Sequence, residues 1–158
     1  VHERLAVSCH VREIESFYVW KDKEYFDSNG IQYEVIAIKT GDYLNTENQA
    51  VVIDRKANLD EVANNLMRGK SNRIRFTKEC KRAFDDRVRF IVLIEGTNCT
   101  SVKDITNWKS KYSAINGRWL ANEMFTLSMA YNVEWMFCKK NQTAKKILEL
   151  LGYGSCRN

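Results

Sequence analysis

The 158-residue sequence contains no proline, an unusual absence that nothing else in it explains. Its breaks are marked instead by Gly and Asn, as in Asn29-Gly30, Gly69-Lys70-Ser71-Asn72 and Asn116-Gly117. Histidine is almost missing too, with only His2 and His10. Cys9 and His10 are adjacent, so on a strand they face opposite ways, which argues against a Cys–His nucleophile. The five cysteines (Cys9, Cys80, Cys99, Cys138 and Cys156) are scattered, odd in number and form no CxxC pair. That excludes a zinc site or disulfide framework and leaves reduced, mostly buried thiols. No apolar run approaches the roughly 20 residues of a membrane helix. No signal peptide, repeat or low-complexity tract is visible, so neither a membrane nor a secreted destination is expected. The sequons at Asn98 and Asn141 then carry no weight.

What is present describes a globular chain. With 44% hydrophobic and 28% charged residues, one domain over residues 1–158 is expected, burying roughly 70% of its unfolded surface. A net charge of +5 and a pI near 8.9 favour a polyanionic partner weakly. Leu5-Ala6-Val7 opens a strand running toward His10–Glu13, and residues 19–28 predict a helix stopped by Asn29-Gly30. Alternation predicts a strand over 31–39, a turn at 45–48 and a returning strand over 51–56. Asn58, with Glu61 three residues on, reads as a capped start for a helix carrying Leu59, Val62, Ala63 and Leu66. A basic helix over about 73–84, a doubly covered strand within 87–95, a helix over 118–131, a strand over 133–137 and a helix over 143–151 follow. The alternation predicts an α/β fold with a mixed central sheet flanked by helices.

One stretch carries chemistry. Gly41-Asp42-Tyr43 and Val51-Val52-Ile53-Asp54-Arg55-Lys56 form the two sides of a predicted hairpin, bringing Asp42 and Asp54 toward each other. Strand alternation points Asp54 and Lys56 one way and Arg55 the other. Two carboxylates and an ammonium at neighbouring strand ends are what divalent-metal phosphodiester hydrolysis needs: hard oxygen ligands, and positive charge for the developing centre. The plain alternative is a solvated strand end followed by a helix cap. Asp42 and Asp54 are the expected ligands for Mg2+ or Mn2+, and Lys56 is placed to orient or deprotonate the attacking water or to stabilise the transition state.

Gly41-Asp42-Tyr43, then Ile53-Asp54-Arg55-Lys56 and Asp60, resembles the GD…ERKxxxD signature of the XPF family of structure-specific endonucleases, which includes archaeal Hef. The likeness runs on through Arg73-Ile74-Arg75-Phe76, Val92-Leu93-Ile94-Glu95-Gly96 and the helix–strand–helix around Trp135 and Thr143. It implies a restriction-endonuclease-like PD-(D/E)XK nuclease fold using magnesium or manganese and cutting branched or flap DNA. By position it implies Asp42 and Asp54 as metal carboxylates, Lys56 as catalytic lysine, and Arg55 and Asp60 as supporting residues. His10-Val11-Arg12-Glu13 falls where the family has Asp-x-Arg-Glu, which adds Arg12 to the catalytic set and His10 as a further metal ligand. Two departures stand out: Asp54 replaces a glutamate, and His10 replaces an aspartate. A neutral histidine bonded to a carboxylate is the alternative to a ligand at His10.

Lys70, Arg73, Arg75, Lys78, Lys81 and Arg82 give a local excess of positive charge suited to gripping DNA phosphates without reading sequence. A solvated basic helix would look similar. No helix-hairpin-helix module is expected within residues 1–158, so junction recognition is expected from a homodimer, a partner subunit or further sequence. A cytoplasmic or nucleoid-associated location, nuclear in a eukaryote, is expected. The competing reading is a catalytically impaired, nuclease-like scaffold that binds DNA or a partner.

Overall fold

The computed structural model describes residues 5–8 and 17–153, with side chains described from Asp22 onward. Its strands are β1 (Leu5–Ser8), β2 (Tyr33–Ile36), β3 (Tyr43–Asn45), β4 (Val51–Lys56), β5 (Arg89–Glu95) and β6 (Glu134–Cys138). Its α-helices are α1 (Phe17–Ser28), α2 (Leu59–Leu66), α3 (Ser71–Asp85), α4 (Gly117–Tyr131) and α5 (Thr143–Leu150). The six strands form one mixed sheet in the order β2-β1-β3-β4-β5-β6. β4, β5 and β6 run parallel to one another, and β3 pairs antiparallel with both β1 and β4. The expected α/β architecture is therefore present. Among the described residues no helix is long and apolar enough to cross a membrane.

The hairpin differs from its expected form. The strand predicted over 31–39 is only β2, which leaves to pair in parallel with β1 at the sheet edge. The partner of β4 is the separate short strand β3. Exposure of Val35 and Ile36 explains why alternation alone joined the two: an edge strand with apolar residues on its open side reads like a central one.

Two cores flank the sheet because neighbouring β5 residues face opposite ways. Phe90, Val92 and Ile94 pack with Val52 against α2, α3 and α4, burying Leu66, Phe76, Cys80, Leu120 and Met124. Ile91 and Leu93 pack with Ile53 against α1 and α5, burying Phe26 and Ile147. The same alternation in β4 sends Asp54 and Lys56 to the first face and Arg55 to the second. Asn58 caps α2 as its sequence predicts, accepting the Glu61 N–H at 2.9 Å, while Glu61 Oε2 accepts from Ala57 N–H at 2.7 Å. That double tie fixes how the chain leaves β4 immediately after Lys56.

Candidate active site

Gly41 sets the geometry of the acidic pair. Its φ is +72°, and a Cβ there would lie 2.3 Å from Val52 Cγ1 and 2.9 Å from the Ile53 carbonyl oxygen, so only glycine fits. The close approach lets Asp42 N–H donate to Ile53 O at 2.7 Å. Continuing the register Tyr43↔Ile53 by one residue places Asp42 opposite Asp54. Asp42 Oδ2 accepts the Arg55 N–H at 2.8 Å, which holds its carboxylate against the β4 backbone.

Lys56 closes the group. Its Nζ lies 2.6 Å from Asp54 Oδ2, with both residues buried at 8% and 5% exposure. The contact is a close, buried ion pair. The ammonium also sits 5.3 Å from the centre of the Phe76 ring on α3. Burial alone would lower the Lys56 pKa, but Asp54 and Asp42 outweigh it and hold the group above the ordinary lysine range. The neighbouring carboxylates therefore favour its ammonium form.

The other side of β4 carries a second polar group. Arg55 Nη2 donates to Glu95 Oε2 at 2.6 Å, and Arg55 Nε lies 3.8 Å from Asp22 Oδ2. Tyr43 donates its hydroxyl to Asp22 at 2.7 Å, and Thr143 donates to Glu95 at 2.7 Å. One guanidinium thus serves two buried carboxylates. Burial raises the Asp22 pKa, with Arg55 pulling the other way. β4 is clamped on both faces: main chain and ammonium on the acidic side, guanidinium on the other.

The remaining expected residues divide. Asp60 accepts from Ser110 Oγ at 2.6 Å, tying a distant loop to α2. Lys70, Arg75 and Lys78 are exposed and make no ion pair among the described residues. Lys81 is also exposed but bridges Asp85 on its own helix at 2.6 Å. Arg73 is turned inward, donating to Glu123 and to the Leu66 carbonyl at 2.6 Å each, and Arg82 donates to the Lys39 carbonyl. These two arginines hold the fold, because each meets an acceptor that a helical-face argument does not reveal. His10 and Arg12 lie outside the described residues.

Glu79 went unnoticed among the lysines of α3. Gly41 N–H donates to its Oε1 at 2.7 Å, so it braces the turn that presents Asp42. The only sequence signal is its place beside the buried Phe76/Cys80/Ala83 stripe. Burial, followed by the charge of Asp54, raises its pKa. The folded protein thus binds this proton more tightly than the unfolded chain, and the associated stability is lost as pH rises from 4.5 through the raised value. Glu79→Gln keeps an acceptor for Gly41 but does not titrate. Its stability relative to the parent is expected to increase with pH across that window in thermal denaturation; a pH-independent difference would refute the assignment.

Among the described residues no group of three or more His, Cys, Asp or Glu side chains is disposed to hold a metal ion. Asp42 and Asp54 nevertheless supply hard carboxylate oxygens on opposed positions, with the buried Asp54 Oδ2 facing the Lys56 ammonium. Such a pair suits a cation that keeps most of its water, as magnesium does.

The model of the ERCC4 domain family matches residues 11–151. The chain belongs to the ERCC4 domain family. Among solved structures, this ERCC4 domain is similar to XPF from Aeropyrum pernix, with a TM-score of 0.68 and 22% identity over 98% of the chain and 66% of that protein. It is also similar to XPF from Aeropyrum pernix in complex with DNA, with a TM-score of 0.65 and 20% identity over 97% and 65%. The ERCC4 domain thus spans about two thirds of the length of these relatives and shares the XPF nuclease fold. No curated protein sequence matches it significantly.

Proposed function

We propose that this ERCC4 domain is the nuclease domain of a divalent-metal-dependent DNA endonuclease acting on branched or flap DNA. One observation carries the reading: Asp42, just before β3, lies opposite Asp54 on β4, with the Lys56 ammonium 2.6 Å from Asp54. Asp42 and Asp54 are the residues to hold Mg2+ or Mn2+, which when bound supplies Lewis acidity at the phosphoryl oxygen and a more acidic water. Lys56, its ammonium beside Asp54, orients the attacking water and stabilises negative charge on the phosphoryl group. Arg55 sets β4, so that its neighbours on either side reach the phosphate together.

DNA is the proposed partner, in keeping with the DNA-bound relative. Lys70 at the start of α3, and Arg75 and Lys78 on it, are the proposed phosphate contacts. A second copy or a partner subunit is proposed as well, and the exposed Phe125 and Met129, one turn apart on α4, offer it an apolar strip at 63% and 71% exposure. Cleavage of flap, fork, nicked and single-stranded oligonucleotides with Mg2+ and Mn2+ tests the reading. Flap or fork is expected to be cut fastest, near the branch. Equal cutting of all four removes the branch preference. DNA binding without cutting in either metal favours the scaffold.

A further inference from the structure

The segment between β5 and α4 holds an aromatic ring in water. Tyr112 is 84% exposed, yet the turn that carries it is tightly built. Lys109 pairs with Asn116 as an isolated antiparallel bridge, Ser110 N–H donates to Ile115 O at 2.9 Å, and Gly117 N–H donates to Trp108 O at 2.6 Å. Inside the turn, Ser110 Oγ accepts from the backbone N–H of Tyr112 at 3.1 Å and of Ser113 at 3.2 Å. The same hydroxyl donates to Asp60 Oδ1 at 2.6 Å. Gly117 anchors the base, because a Cβ there would lie 1.6 Å from the Ile105 carbonyl oxygen. The turn is thus fixed to the first turn of α2, the helix that leaves β4 just after Lys56.

Charge selects what such a ring meets. Residues 108–117 include Lys109 and Lys111 and no carboxylate, and Arg118 follows. All three cations are exposed and form no ion pair among the described residues. An exposed aromatic on a hydrogen-bonded turn, among cations that form no ion pair among the described residues, matches a polyanion that offers flat rings, which is single-stranded nucleic acid. Duplex DNA offers the phosphates but keeps its bases stacked.

We propose that Tyr112 is a stacking platform for an unpaired base of the DNA substrate, with Lys109 and Lys111 on the adjoining phosphates. Asp60 is then a positioning residue, acting through Ser110. This rests on the DNA-endonuclease reading and names the part of the substrate, a single-stranded arm, that the turn engages.

The test uses the whole chain with chelator present, so that no cutting occurs, and three probes: a fork with 2-aminopurine in its single-stranded arm, a single strand, and a blunt duplex. Tyr112→Ala is expected to weaken fork and single-strand binding by about five-fold or more, and duplex binding by less than about two-fold. It should also reduce 2-aminopurine quenching, and Tyr112→Trp should restore both readouts. Lys109→Ala/Lys111→Ala should weaken all three probes and flatten the salt dependence by about two. Tyr112 is exposed, so an unchanged melting temperature accompanies these effects. Unchanged fork affinity of Tyr112→Ala, or an equal loss on the duplex, overturns the stacking role and leaves the endonuclease reading standing. A change in self-association with unchanged DNA affinity overturns it in favour of a protein partner. Failure of the parent chain to bind any probe overturns both.

Discussion

Lys56→Ala is expected to lower single-turnover cleavage by about 10^3-fold and to destabilise the fold by about 3–5 kcal/mol. The two losses share one cause. The ammonium is the cation among Asp42, Asp54 and Glu79, and it is almost wholly buried beside Asp54. Removing it deletes the charge proposed to act on the phosphoryl group and also leaves the buried Asp54 carboxylate beside the half-buried Asp42 and Glu79 without it. Protonating one of them relieves that repulsion, so the stability deficit should be smaller near about pH 5 than near about pH 8. Urea denaturation at both pH values, beside a cleavage time course, checks the pair of effects. Full activity, or a deficit that grows on acidification, would contradict it.

Glu95→Ala is expected to cost about 3–5 kcal/mol although Glu95 lies on the face of the sheet away from Asp54. Its carboxylate is 1% exposed and accepts from Arg55 Nη2, Arg55 Nε and Thr143 Oγ1. Without it Arg55 loses its two bonds to Glu95, with Asp22 3.8 Å from its Nε, and Thr143 loses an acceptor. The effect should reach the acidic face, because the Arg55 backbone N–H is the donor to Asp42. Glu95→Gln keeps an acceptor for Thr143 and Arg55 and should fall between parent and Ala in stability. Equal stability of parent and Glu95→Ala in chemical denaturation would show that the clamp contributes nothing.

Much of this was legible in the chain. Period-two alternation placed Asp54 and Lys56 together and Arg55 opposite, the capping pattern at Asn58 located α2, and the unbroken run Phe90–Ile94 identified the doubly covered strand. The failures share a physical origin. Residues such as Arg73, Arg82 and Glu79 look like solvent-facing helix charges in sequence, and only tertiary contacts to Glu123, the Lys39 carbonyl and Gly41 give them these roles. β2 was misjoined because strand pairing is non-local: period-two patterning shows that a segment is a strand and says nothing about which neighbour it takes. Tyr112 carried no signal beyond being an aromatic in an irregular segment, since its exposure follows from the bonds of Ser110.

The most direct measurement is cleavage of a flap substrate by the parent chain and by Asp42→Asn, after chelation and re-addition of Mn2+. Anisotropy on the same DNA without metal measures binding in parallel. The parent should recover cutting with Mn2+, while Asp42→Asn should bind the DNA equally well, keep the accepted bond from Arg55 N–H, and cut about 10^3-fold more slowly. Equal cutting by both proteins, or cutting that persists under chelation, would contradict the assignment of Asp42 and Asp54 as the metal carboxylates.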